Sequence, residues 1–555
     1  MYPPAHLLRA LEEPDQELNA RLRAVYGHAP EVLRERTRLI RRVLQAFAER
    51  YGAGRPVRLF RAPARLNLRG MHVDTHGGYL NLMTHQREVV VAAAVREDAR
   101  CHAESIIPGV PPADFPLDDW LGAPEFDRDW LEFIRAPDVR KRCATEPEGW
   151  LRYIRGAALS AQHAHADTPF LGIDAAAGSD IPIGAALSSS HALCLAFLLA
   201  VLGWNGRELD TERRILAVRN AEWYAGARTG TSDQGAMILG GRNTLVNVAL
   251  LAEQLDTSGA RYLAMPEDLA VLVINSYTER SLSGKQLAAY TRNRFAYSMA
   301  LEILRQEMRR MGGYDDAAVA RVDRLARVTP EALGGLDRLY ALLQRVPEAL
   351  ALDALRQRYA LPELDTAWER YFGGVPEEDH PQTIGLRGPL LFGIAESERA
   401  RLFLTAIEAG HYRRAGLLMR VGHDGDRVAW GGAGEPCVTP DDAALAKWRA
   451  EQRPLELCPG DYGASSPVLD ALVDTAIAAG ALGASLTGGG IAGAVLALCA
   501  RKDAPAVADA VRKLLATPGY AELAHREAPL NSAELDQAVV VNHAPASAGE
   551  LRLLD

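Results

Sequence analysis

The stretch Asp180–Ala200, DIPIGAALSSSHALCLAFLLA, constrains this chain more than any other. A Pro-Ile-Gly-Ala-Ala-Leu turn runs into three serines, Ser188, Ser189 and Ser190. An apolar run to Trp204 follows, long enough for about four helical turns. Small residues let backbone approach a ligand closely, and serines suit a helix start, where amide N–H groups lack partners. Such an N-terminus attracts anions, so the turn is a candidate cradle for nucleotide phosphates. It reads equally as a serine-capped core helix, and the choice between the two rests on other stretches.

With 555 residues the chain should form two or more domains. A net charge of −9 with no long basic run gives no support to a nucleic-acid partner. The six cysteines are scattered, with neither a C-x-x-C pair nor the spacing of a zinc site. Cys194 and Cys499 sit in apolar runs and read as buried thiols. The first residues, MYPPAHLLRALEEPDQ, lack the basic-then-apolar pattern of a signal peptide, and the longest apolar run is too short to span a bilayer. The expectation is a soluble cytoplasmic protein with no membrane or nucleic-acid partner.

Helical spacing over Glu31–Tyr51 is followed by two strand-like stretches, VRLFRAPARLNLRG and REVVVAAAV, around the turn MHVDTHGG. Residues Glu97–Arg142 read as surface loops or short helices. Trp150–His165 reads as a helix and Phe170–Ala177 as a strand leading into the serine turn. After the helix Thr211–Ala227, GARTGTSDQGAMILGG is too rich in glycine to be a regular element. LAVLVINSY opens a second half with helices at Leu287–Met311 and Ala395–Ala409. Near its end come an amphipathic helix, SPVLDALVDTAIAAG, and a strand–glycine turn–apolar run, ALGASLTGGGIAGAVLALCA. The pattern is α+β in two halves.

The glycines Gly488–Gly493 formally match G-x-G-x-x-G, but the run after them reads as well as a strand, and Asp503 comes too early to serve a dinucleotide fold. A P-loop is excluded, because Gly284-Lys285 is followed by Gln286. Gly230–Gly235, GTSDQG, places Asp233 between glycines, where it is either a turn residue or a site acid. Arg61–Gly78 adds Arg65, His72, Asp74 and His76 beside a Gly-Gly turn, the density of hydroxyl-binding side chains that a sugar site requires.

Together these stretches resemble a known family. APARLNLRGMHVDTHGGYLNLM resembles the galactokinase signature, PIGAALSSSHAL the second motif of the GHMP kinase superfamily, and LTGGGIAGAVLAL its third, all in the family order. GTSDQ, INSYTERSL, WLRYIRGAAL and GDYGASSPVLDALV resemble flanking galactokinase segments, so the likeness covers most of residues 35 to 530. The resemblance implies a two-domain GHMP kinase fold with the active site between the domains. It implies a kinase that phosphorylates the anomeric hydroxyl of a monosaccharide from ATP and Mg²⁺.

By position, it makes Asp233 the catalytic acid/base and Arg65 its cationic neighbour. It puts His72, Asp74, Gly230, Tyr290 and the position of Met71 on the sugar. Gly184, Ala185, Leu187 and Ser188–Ser190, with Gly489 and Gly490, fall on ATP, and Ser190 and Glu222 near the metal. The expected divisions are an extension over 1–30, an N-terminal domain over 31–245, and a C-terminal domain over 246–555 with a helical insertion near 312–385.

Met71 stands where galactokinases carry a glutamate that binds a distal sugar hydroxyl, and a thioether is a weak acceptor. Galacturonate kinases are similar here, so galactose, a uronic acid, a pentose and a deoxy-sugar all stay open. Arg69 reads as a surface arginine or as the partner of a substrate carboxylate. Ala186, Ala492 and His191 also replace smaller residues, at the phosphate turns. The rival reading is a catalytically silent sensor that binds sugar and ATP.

Overall fold

The computed structural model describes residues 1–146, 149–278, 284–373, 375–428 and 440–555, with backbone alone for 284–290. Fourteen strands run along the described residues: β1 (Arg58–Arg69), β2 (Tyr79–Val95), β3 (Arg100–Ser105), β4 (Ala113–Pro116), β5 (Ile173–Ser179), β6 (Thr244–Ala249), β7 (Arg261–Ala264), β8 (Leu269–Asn275), β9 (Ala349–Ala351), β10 (Thr383–Gly385), β11 (Gly483–Leu486), β12 (Ala494–Ala500), β13 (Val539–Val541) and β14 (Gly549–Leu551).

The first sheet has the order β14-β1-β2-β5-β3-β4, with β6 also pairing β2 and β7 pairing β6. REVVVAAAV lies in β2 and explains the sheet's burial on both faces. Val89, Val91 and Ala93 belong to one core cluster, while Val90, Ala92 and Ala94 belong to another, as the two-residue period of a strand requires. The second face is covered by helix Pro30–Tyr51 through Leu39, Ile40, Val43, Leu44 and Phe47. Residues of the expected 1–30 extension, Leu7, Leu11, Leu18 and Leu22 among them, join that same cluster, so this segment packs into the first half.

The opposite face carries helices Trp150–His163, Ser189–Trp204 and Thr211–Tyr224. Helix Ser189–Trp204 holds no charged residue but His191, and Cys194, Leu195, Phe197, Leu198, Val201 and Leu202 are all buried in one core. This is how a helix apolar on every side must sit.

The second sheet is antiparallel, in the order β11-β12-β8-β13. Leu272, Ile274, Val495 and Ala497 face helices Pro467–Ala478 and Ala504–Leu515. Val271, Val273, Leu496 and Leu498 join the core of the first sheet instead. The two sheets therefore share one apolar interior. The boundary expected at 245/246 falls inside β6, because Leu245, Val246 and Val248 complete the first sheet's packing. The chain's end returns as well: β14 pairs β1, with Leu551 opposite Leu59.

Other elements differ from what their local sequence suggests. The stretch 97–142, expected as surface loops or short helices, has the short helices Trp130–Arg135 and Pro137–Thr145 but also the strands β3 and β4. The glycine-rich GARTGTSDQGAMILGG contains the helix Ser232–Leu239. Gly235 is tolerated there because it faces Leu250 at close range, where an added Cβ would lie 2.8 Å from Leu250 Cδ1. The helix expected from Ala395 begins at Arg387, since Pro389 in its first turn needs no N–H partner. The apolar run after Gly488–Gly493 is strand β12, so those glycines join two strands of a hairpin and no dinucleotide-binding helix follows. No helix among the described residues is long and apolar enough to cross a membrane. The five described cysteines are unpaired, and Cys437 lies outside the described residues.

Candidate functional site

The hairpin turn between β11 and β12 folds onto the serine turn, and this contact joins the two halves. Gly488, at φ +75°, would place a Cβ 3.0 Å from the Ala186 carbonyl and 3.2 Å from Arg65 Nη2. At Gly493, φ +103°, a Cβ would run into that of Ala186. Only glycine meets both demands. Gly493→Ala is expected to cost about 1–3 kcal/mol, read from denaturant unfolding; wild-type stability in the variant would contradict this packing. Ala186 and Ser188 themselves sit at φ +55° and +63°, held there by what surrounds them.

What surrounds them is an ionic centre. Arg65, from β1, donates from Nε to Asp233 Oδ1 at 2.6 Å and from Nη1 to the Ala186 carbonyl at 2.6 Å. Ser188 donates its hydroxyl to Asp233 Oδ2, also at 2.6 Å. Asp233 stands in the first turn of helix Ser232–Leu239, where the helix dipole favours a carboxylate. Burial pushes its carboxyl up. The charges of Arg65 and then His191, with the hydrogen bonds from Arg65 and Ser188, outweigh burial and hold Asp233 well below the usual carboxylate range.

His191, the residue that replaces a small one after the serines, is buried between two acids. Its Nδ1 lies 3.4 Å from both Asp233 Oδ2 and Glu222 Oε1. Glu222 is 1% exposed, and its carboxyl is raised by burial, an effect that His191 and the nearby Ser190 hydroxyl offset only in part.

Asp74 lies across from these groups, on the turn after β1. It accepts from the Ser232 hydroxyl at 2.9 Å and from the backbone N–H of Thr231 and Ser232. Gly230 must be glycine because a Cβ there would overlap the Asp74 carboxylate. His72, at φ +64°, stacks on Tyr462 with ring centroids 4.4 Å apart, and its Nε2 is 3.4 Å from Asp426. Tyr462 lies in the galactokinase-like segment GDYGASSPVLDALV without being among the expected site residues, and Asp426 lies in no motif.

Arg65, His72, Asp74, Gly184, Leu187, Ser188–Ser190, Glu222, Gly230, Asp233 and Gly489 all border one cavity of about 1200 Å³. The structure does not bring every expected residue there. Ala185 turns its side chain into the first sheet's core, and Gly490 packs against Ala464. Met71 is 1% exposed in the apolar cluster of the second sheet, with Leu272 and Leu486, so it does not face the cavity. Its apolar side chain suits that core. Arg69 is no surface residue: it is fully buried against Glu396, at 3.4 Å, and does not reach a substrate carboxylate. The Tyr290 side chain lies outside the described residues.

One wall of the cavity carries no motif in the sequence. Helix Leu364–Phe372, inside the expected insertion, contributes Asp365, Glu369, Arg370 and Tyr371 to it.

The galactokinase galactose-binding signature matches residues 45–95, the GHMP kinases N terminal domain residues 152–241, and the GHMP kinases C terminal domain residues 440–517. A galactokinase of Chloroflexus aggregans is 28% identical over 419 residues, covering 71% of this chain and 97% of its own. A galactokinase of Streptomyces coelicolor is 27% identical over 485 residues, covering 86% of this chain and 92% of its own. Among solved structures, Lactococcus lactis galactokinase complexed with galactose matches with a TM-score of 0.57 and 19% identity, over 91% of this chain and 97% of that one. That likeness shows the fold.

Proposed function

Because the chain belongs to the GHMP kinase superfamily as a galactokinase-type, ATP-dependent sugar kinase, we propose that it transfers the γ-phosphoryl group of ATP to the anomeric hydroxyl of a galactose-like monosaccharide. The observation that carries this reading is the Arg65–Asp233–Ser188 contact, set where the serine turn and the β11–β12 hairpin meet at the cavity wall.

The serine turn would receive the ATP phosphates through backbone N–H groups and hydroxyls at the start of helix Ser189–Trp204, with Gly489 closing over them. Asp74, Gly230 and His72 would hold the sugar, with its reacting hydroxyl toward Asp233. Phosphoryl transfer asks mainly for position and neutralised charge. Arg65 would stabilise charge on the transferred oxygens. In a loose transition state the hydroxyl proton leaves late, so a weakly basic carboxylate can accept it. Asp233 would be that acceptor.

Mg²⁺ is usually held by one or two carboxylates together with substrate phosphates. Glu222 and Ser190, side by side at the cavity wall, fit that donor set. Among the described residues no group of three or more His, Cys, Asp or Glu could hold an ion unaided. When bound, the ion would neutralise charge on the phosphates.

The first experiment is ADP release from ATP and Mg²⁺ across a panel of free sugars; turnover with none of them would remove the reading. Arg65→Met gives a sharper test through its pH profile. In the wild type Asp233 stays ionised below the usual carboxylate range, so it should produce no acid limb above about pH 4. Without Arg65 the upward push of burial is left with weaker opposition, and Asp233 titrates at higher pH. The variant should then lose kcat/KM as pH falls through that raised value, besides a loss of ~10²-fold at neutral pH. A limb in the same place as the wild type's would contradict the coupling.

A further inference from the structure

Beside the main cavity lies a smaller pocket of about 280 Å³, joined to it along Asp74, Thr229 and Gly230 and sharing Arg228, Arg294, Arg370 and Tyr371 with it. Four arginines border it: Arg219, Arg228, Arg294 and Arg370. They come from separate places in the fold: helix Thr211–Tyr224, the turn after it, helix Gly284–Met311 and helix Leu364–Phe372. Trp223 supports two of them, with the Arg219 and Arg228 guanidinium carbons 5.2 and 5.3 Å from its ring. Arg294 donates to the Arg228 carbonyl at 2.7 Å, which ties two walls together.

The pocket's acids do not balance these charges. Its two acids are Asp74, which accepts from Thr231 and Ser232, and Glu253, so four guanidinium groups face two carboxyl groups. Among the described residues Arg219, Arg228 and Arg370 form no ion pair. His76 also lines the pocket, and burial, then Arg294 and Arg370, push its imidazole down to about 3, so it stays neutral. A concave wall with this excess of guanidinium groups suits a carboxylate or phosphate, which such groups bind in bidentate fashion. The serine turn and Gly488 border the main cavity and not this pocket. Arg228, Arg294 and Arg370 border both and Arg219 the pocket alone, so the arginines stand on the side of the main cavity that continues into the pocket.

We propose, on the kinase reading above, that the sugar acceptor carries an anionic group, a carboxylate or a phosphate ester, and that this pocket seats it beside the Asp74–Gly230 sugar wall. The inserted region then serves the substrate, because it brings Arg370 and Tyr371 to the acceptor's charged end. Arg69, buried on Glu396, takes no part.

The test compares galactose, galacturonate and galactose 6-phosphate as acceptors, by ADP release and by calorimetry, in the wild type, Arg370→Ala and Arg370→Glu. One anionic sugar should exceed galactose in kcat/KM at least tenfold, and which of the two does so separates carboxylate from phosphate ester. Arg370→Ala should raise its KM about tenfold, the loss expected for one charged hydrogen bond, with kcat changed far less, and Arg370→Glu more. Galactose preferred over both anionic sugars would overturn the proposal, as would an unchanged KM in both variants. If no sugar is phosphorylated, the kinase reading fails and calorimetry still decides the pocket. Anionic-sugar binding lost in Arg370→Glu would uphold it, and absence of such binding to the wild type would overturn it.

Discussion

Asp233→Asn is expected to lower kcat by roughly 10³-fold while leaving the fold and ATP binding in place. The substitution keeps the shape. Arg65 Nε still finds a carbonyl oxygen at the place of Oδ1, and the Ser188 hydroxyl can turn to accept from the new amide. What disappears is the charge and the proton acceptor. Because Asp233 is held ionised by Arg65, its removal also leaves that guanidinium without its counter-charge beside the reacting oxygens. Single-turnover ADP release, ATP calorimetry and thermal unfolding separate the contributions. Full kcat in the variant would remove Asp233 from the chemistry. A wild type that binds sugar and ATP but releases no ADP would favour the sensor reading instead.

The parts of this site that the sequence disclosed are those where chemistry and backbone geometry restrict the residue sharply. Arg65, Asp233 and Ser188 meet within hydrogen-bond distance across 168 and 45 residues of chain. Ser188 and Asp233 stand in small-residue turns and Arg65 in a strand-like stretch, and the family resemblance singled them out where a serine-capped helix and a turn aspartate were the alternatives. Gly230 was legible through the same resemblance, and the structure leaves no space beside the Asp74 carboxylate. Strands β1 and β2 announced themselves by alternation and by a continuous apolar run.

What stayed hidden depended on partners far away in sequence. Met71 and Arg69 sit inside the sugar motif, so their positions suggested ligand contacts. Their side chains instead answer to β8, β11 and helix Arg387–Glu408, which a local reading does not see. The helix Ser232–Leu239 was obscured by the glycines around it, of which Gly235, inside the helix, serves close packing against Leu250. Arg370 had no motif at all, and only the fold brings the inserted helix to the cavity.

Glu396→Ala is expected to be the most destabilising single change, by about 3–5 kcal/mol, because it leaves two buried arginines without a counter-charge. Glu396 is 0% exposed between Arg69 and Arg399, themselves 0% exposed. It accepts from Arg399 Nε at 2.7 Å and from the backbone N–H of Gly70 and Met71 at 2.7 and 3.2 Å. Gly422 leaves the room for this centre, since a Cβ there would strike the Arg69 guanidinium. One carboxylate thus fixes helix Arg387–Glu408 to the turn that carries His72 and Asp74, so the variant should also show a raised sugar KM. Replacing all three charges by apolar residues, as Arg69→Met, Glu396→Leu and Arg399→Met together, should recover only part of the stability. The carbonyls of Leu418, Met419 and Cys458 that the two arginines now satisfy would lose their donors. Denaturant unfolding of the single and triple variants, with sugar KM beside it, checks both statements. A single variant as stable as the wild type would mean that Arg69 and Arg399 are balanced by groups other than Glu396.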